Sequence, residues 1–264
     1  MTRAAVYGSP AWRRWKHDHH WATDPLGEGN TALISALGGN AAVLGFYDAR
    51  KNVTVSGSTV TQIDDVRGAV GFGPSLIGTG HAPTWDPVGL TASNTANTMY
   101  LQTAASALFD LSGPMTVINV MSVAPTSNDF TATISGSANA HVLGHAGSSA
   151  QTLRAIKSSG SAQLLGVGAG PSIRVMFAIA SASAFAGACG NAAVQRTVEN
   201  ALTAVGNNSF TVFGSLGPST DTGCVWRSSI IVAGDLGVGT GTTYTAAMNA
   251  VAKWAHAEHA AVLA

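Results

Sequence analysis

The sequence predicts an all-β protein, a jelly-roll β-sandwich preceded by an N-terminal arm and closed by a C-terminal helix. Three observations predict it. From residue 40 onward, short apolar runs rich in β-branched and aromatic residues alternate with Gly, Asn, Ser and Pro. The last 23 residues, "TTYTAAMNAVAKWAHAEHAAVLA", contain neither Gly nor Pro. Residues 11–21, "AWRRWKHDHHW", hold three of the six Trp and three of the eight His, a texture unlike anything after them.

The arm comes first. Residues 1–39 carry that block, then "TDPLGEGN", read as a turn, then "TALISALGG", whose Gly38-Gly39 reads as a hinge. Residues 40–264 form the jelly-roll domain. Its expected strands are 41–49, 57–63, 114–124, 130–135, 172–180, 208–216 and 225–234. Within "TVINVMSV", Val117, Asn119, Met121 and Val123 share one face, and Thr116, Ile118, Val120 and Ser122 the other. Apolar residues on both faces predict a central strand buried on both sides. In the terminal helix Tyr244, Met248, Val251, Ala255 and Val262 fall on one face, and Thr242 or Thr243 is the expected cap.

Composition narrows the function classes. Only 10% of the residues are charged, against about 25% in ordinary globular proteins, and the net charge is zero. No global field therefore steers the chain to DNA or to anionic lipid, and neither nucleic acid nor membrane insertion is expected. The first twenty residues carry charge where a secretory leader needs an apolar run, so no signal peptide is expected. Cys189 and Cys224 lack a Cys-x-x-Cys spacing; two buried thiols are favoured over a disulfide.

Chemical motifs are scarce. No Gly-x-Ser-x-Gly elbow occurs. "GDLGVGT" has Gly234 and Gly239 at P-loop spacing, but Thr240 stands where a phosphate-gripping Lys belongs. "LLGVGAGP" (164–171) precedes a strand-like run, so it is no dinucleotide fingerprint. His256 and His259 read as a solvated helix face, and His141 and His145 as part of a loop, so no metal site is assigned.

The order of the runs carries a resemblance. "LGFYDARKNVTVSGSTVTQIDD" looks like an opening strand, a loop and a strand closing on Asp. "HAPTWDPVGLTASNTANTMYL", "LSGPMTVINVMSV" and "SSIIVAGDL" followed by the helix continue the series. Together they resemble the concanavalin A-like lectin/laminin-G-like jelly rolls of tailed-bacteriophage virion proteins, over about four-fifths of the chain. Two positions depart: Ile63 stands where a Trp is common, and "ASNT" (92–95) replaces an expected Phe-Asp-Gly.

The resemblance implies a non-enzymatic structural protein: a capsid decoration, spike or minor tail component, assembled in the host cytoplasm and resident in the virion. It implies other virion proteins, capsid or tail, as partners, and a homo-oligomer, with a trimer among the forms allowed. Trp12, Arg13, Arg14, Trp15 and Trp21 are the candidate docking residues, because Trp and Arg dominate interface energies and Trp12 and Trp15 lie one helical turn apart. The alternative is a carbohydrate-binding module for host-surface glycans, with Trp85, Asp86, Asn94, Asn97, Asn128 and Asp129 as candidate contacts, an aromatic face with planar amides. The fold admits a calcium ion, which no motif of this chain indicates; no other cofactor is expected. Glycan hydrolysis is the remote option. Retaining glycosidases need carboxyls about 5–5.5 Å apart, and Glu28, Glu199 and Glu258, the only three Glu, form no Glu-x-Asp-x-x-Glu pattern. No catalytic residue is assigned.

Overall fold

The computed structural model describes residues 28–68, 73–80, 83–86, 89–91, 99–123, 130–135, 142–148, 152–157, 162–168, 170–190, 193–198, 207–214, 224–237 and 241–262. Among them seventeen strands are hydrogen-bonded into one continuous, wholly antiparallel sheet. The sheet bends back on itself into two layers.

The first layer runs β15 (Gln195–Val198), β14 (Ala184–Cys189), β13 (Gly170–Ala180), β8 (Met115–Val123), β17 (Val225–Ala233) and β1 (Val43–Asp48). The second runs β2 (Val53–Ser56), β3 (Thr59–Ile63), β4 (Leu76–Gly80), β7 (Met99–Thr103), β16 (Ser209–Val212), β9 (Phe130–Ser135), β10 (Val142–Ser148), β11 (Thr152–Lys157) and β12 (Ala162–Gly168). The hairpin β5 (Thr84–Asp86) and β6 (Gly89–Thr91) joins them. β6 continues the edge of β17 past the end of β1, and β5 meets β3 at Thr59.

The period-2 alternation of β8 decides the packing. Val117 and Met121 enter a core between the layers with Trp226, Phe210, Phe185, Leu143 and Tyr47. Ile118 and Val120 enter a second core with Phe46, Phe177, Ile230 and the helices. β8 is flanked by β13 and β17 and buried on both faces, as its sequence predicts.

Two helices cover the outer face of the first layer. α2 (Ala246–His259) begins at Thr245, whose Oγ1 accepts the Met248 N–H at 3.3 Å. The cap is therefore Thr245 rather than Thr242 or Thr243: the chain is still extended at φ −70°, ψ 170° there, and only then turns helical. Of the expected apolar face, Met248, Val251 and Ala255 are buried, together with Trp254, whereas Val262 is exposed. α1 (Glu28–Ala36) lays Leu33 and Ile34, with Leu37 just beyond it, into the same core. The packed body thus reaches back beyond residue 40. Gly38-Gly39 ends α1 with both φ positive, and the Gly39 N–H returns to the Ile34 carbonyl at 2.8 Å.

Candidate functional site

Three groups of polar side chains are built into this frame. The first lies where β1 leaves the sheet. Asp48, fully buried, ends β1 facing the helices. Arg50, two residues on, grips it with Nε at 3.1 Å and Nη2 at 3.0 Å, and reaches the Glu258 carbonyl and carboxylate on α2 at 2.5 and 3.3 Å. Burial alone would raise the Asp48 pKa. Arg50 and then His259 outweigh it and hold the carboxyl well below the usual range. His259 lies 3.5 Å from the same carboxylate, edge-on to Trp254 at 4.9 Å. Burial, opposed by Asp48 and reinforced by Arg50, Arg227 and Lys51, pushes its pKa down to about 3, so this contact is no ion pair at neutral pH. His259 is thus a core residue, not the solvated face expected of "HAEH"; only His256 is exposed.

The second group follows β3. Asp65 accepts the Phe46 N–H at 2.9 Å and binds Arg67 through Nε at 2.9 Å and Nη2 at 2.8 Å; Arg67 Nη1 donates to the Val43 carbonyl at 2.6 Å. Its neighbour Asp64 turns elsewhere, to Gln62 Nε2 at 2.6 Å and Ser75 Oγ at 2.5 Å. The adjacent carboxylates therefore do not converge on one point.

The third group is interior. Trp226 Nε1 donates to Ser229 Oγ at 2.7 Å, and Ser229 Oγ donates to Asn119 Oδ1. Asn119 Nδ2 faces the Ala132 carbonyl at 3.1 Å and His145 Nδ1 at 2.6 Å. His145 belongs to β10 and is wholly buried, not in the loop its sequence suggests, because pairing with both β9 and β11 overrides the low strand propensity of "VLGHAGS". Asn119 was legible as a polar break in an apolar strand; its partners, 26 and 110 residues away, were not.

Of the candidate glycan contacts, Trp85 sits on β5, half-buried against the interlayer core, its indole N–H donated to the Ala49 carbonyl at 2.6 Å. Its polar edge is thus committed to the β1–β2 turn, beside the Asp48–Arg50 pair. Asp86 ends the same strand, paired with Gly89. Asn94, Asn97, Asn128 and Asp129 lie outside the described residues, as do Trp12, Arg13, Arg14, Trp15 and Trp21. Cys189 and Cys224 are both buried free thiols.

No family model matches the chain, and no curated protein matches it by sequence. Among solved structures it is similar to a Trypanosoma rangeli sialidase in complex with sialic acid, at 10% identity and a TM-score of 0.57, over 84% of this chain and 34% of that one. It is also similar to a botulinum neurotoxin type C structure described by cell entry dependent on two ganglioside molecules, at 10% identity and a TM-score of 0.55, over 77% and 50%. A third is the binding domain of botulinum neurotoxin DC in complex with rat synaptotagmin II, at 10% identity and a TM-score of 0.53, over 75% and 49%. The chain spans half or less of each of these proteins. Likeness at such identity speaks to the fold alone.

Proposed function

We propose that this chain is a non-enzymatic structural protein of a tailed phage or phage-like particle. Its body is a concanavalin A-like jelly roll, and Trp12, Arg13, Arg14, Trp15 and Trp21 dock it on another virion protein or on sister copies. The observation that carries the reading is the employment of the buried ionic groups. Asp48 and Asp65 are each gripped by a guanidinium that also ties down backbone carbonyls of another segment, and Asp65 accepts a backbone N–H besides. That is the chemistry of a scaffold; acid–base catalysis needs a carboxyl free to exchange its proton with a substrate. The phage context rests on the ordered motifs of the sequence. Light scattering on the full chain and on its Trp12→Ala/Trp15→Ala variant tests the docking role. A defined oligomer that the variant loses supports it. An oligomer that the variant keeps assigns assembly to the jelly roll instead.

The second reading, a module for host-surface glycans, is favoured by the fold likeness to proteins described with sialic acid and with gangliosides. A glycan array with sialylated and neutral oligosaccharides tests it. Binding weakened by Trp85→Ala, with the fold intact, places the site on the β5–β6 hairpin; no binding to any glycan or host envelope fraction rejects the module.

A further inference from the structure

The interior hydrogen bonds run in one direction. The Trp226 indole can only donate, so Ser229 Oγ accepts from it and spends its own O–H on Asn119 Oδ1. At the other side the Ala132 carbonyl can only accept, so the Asn119 atom facing it must be Nδ2. The same Nδ2 lies 2.6 Å from His145 Nδ1, which must therefore accept, leaving the imidazole proton on Nε2. Both ends of the chain are fixed by groups that cannot exchange donor and acceptor roles.

We propose that this one-way chain is an acid-sensitive fastener: it joins β17 and β8 of one layer to β10 of the other only while His145 is neutral. A proton added at Nδ1 would set two donors against each other at 2.6 Å. Turning the Asn119 amide to relieve them would oppose its oxygen to the Ala132 carbonyl and its nitrogen to the Ser229 hydroxyl proton. No rearrangement within the chain accepts the proton.

Among the described residues the surroundings offer no counter-charge. The strands that flank or face His145, β8 to β14, contain no Asp or Glu at all. Among the described residues, the titratable side chains on the same interior are Lys157 of β11, Arg174 of β13, Cys189 of β14, Cys224 and Tyr47 of β1, none of which is an anion at neutral pH. Burial accordingly pushes the imidazole pKa down to about 3, against the opposing pull of the Phe177 backbone.

Nitrogen-15 NMR of the full chain labelled in histidine reads the tautomer directly. The expected result is a neutral His145 with its proton on Nε2, unchanged from pH 7.5 down to about 4.5. The companion measurement is urea unfolding of the wild type and His145→Gln over the same range. Unfolding releases the imidazole to its ordinary pKa of 6.5, so the wild-type folding constant should fall roughly 100-fold more than that of the variant by pH 4.5. A proton on Nδ1, a resonance that titrates near 6.5, or equal pH slopes would overturn the proposal. Should the variant not fold, the tautomer and titration of the wild type decide alone.

Discussion

Asp65 and Arg67 form an ion pair 2.8 Å apart with both side chains essentially out of solvent. Between them they hold the Phe46 N–H and the Asn40 and Val43 carbonyls, so the pair pins the entry and the middle of β1. Removing the carboxylate leaves the buried Arg67 charge uncompensated and takes the acceptor from the Phe46 and Arg67 backbone N–H groups. Asp65→Ala should therefore destabilise the protein by about 3–5 kcal/mol, read from urea midpoints at pH 7. Replacing both members by Asp65→Leu/Arg67→Met should cost clearly less than the single change, and an equal or larger loss would refute the assignment.

The α2 anchor predicts a second acid response, independent of the interlayer chain. His259 cannot take a proton in the folded protein above about pH 3, but takes one freely once unfolded below 6.5. Stability is thus fully present above 6.5 and drains away as the pH falls toward 3. Asp48, depressed from its ordinary 3.8, adds a further loss only below that value. In unfolding titrations between pH 6 and 4.5, His259→Phe keeps the packing against Trp254 and should take up about one proton fewer than the wild type. An unchanged slope would show that His259 titrates normally.

Gly144 precedes His145 and has φ +152°; a Cβ there would lie 2.4 Å from the Ala132 carbonyl oxygen and 2.8 Å from Thr133 Cα. Both atoms are backbone of β9, so nothing flexible can move aside. Gly144→Ala should cost about 3 kcal/mol in thermal or urea unfolding. A near-neutral effect would mean that β9 and β10 pair less closely than described.

The two thiols should be silent in the native protein and fully counted in denaturant. Burial raises the Cys189 pKa against the pull of Arg174, and both cysteines lie in the interlayer core. Ellman titration is expected to find none reacting on the minute timescale before urea and two after it. Rapid native labelling contradicts the burial, and none in denaturant would reveal a disulfide.

All seven strands expected from the sequence are present, and they are the ones whose apolar residues show strong β-propensity, such as "PMTVINVMSVA" and "VWRSSIIVAG". Of the strands that lack such a local signal, "GLT" is short and "VLGHAGS" and "AQLLGVG" carry glycine, while "TLRAIK" is neither. β6 lies between β5 and β17, and β10 between β9 and β11, whereas β12 pairs, among the described residues, with β11 alone; such partners are information that no local window contains. The same limit hid the polar groups. Asp48 and Arg50 are close in sequence, but their tie to Glu258 spans 208 residues. Trp85 was recognisable as an aromatic on a turn-rich stretch; that its N–H is spent on Ala49 follows only from the folded pairing of β5.

β1 and β17 lie side by side, and the Ser228 hydroxyl bonds the Tyr47 carbonyl across 181 residues of chain. On a ribosome adding about 5–20 residues per second, the first strand would wait on the order of ten to forty seconds for its neighbour. Once made, β8 would lack its β17 edge for the rest of that interval, and Phe46 and Ile118 would lack the helix α2 that covers them. Nascent chains would therefore carry an open, apolar sheet edge until β17 and α2 have been added, the condition under which non-local β pairing folds slowly and stays exposed to aggregation.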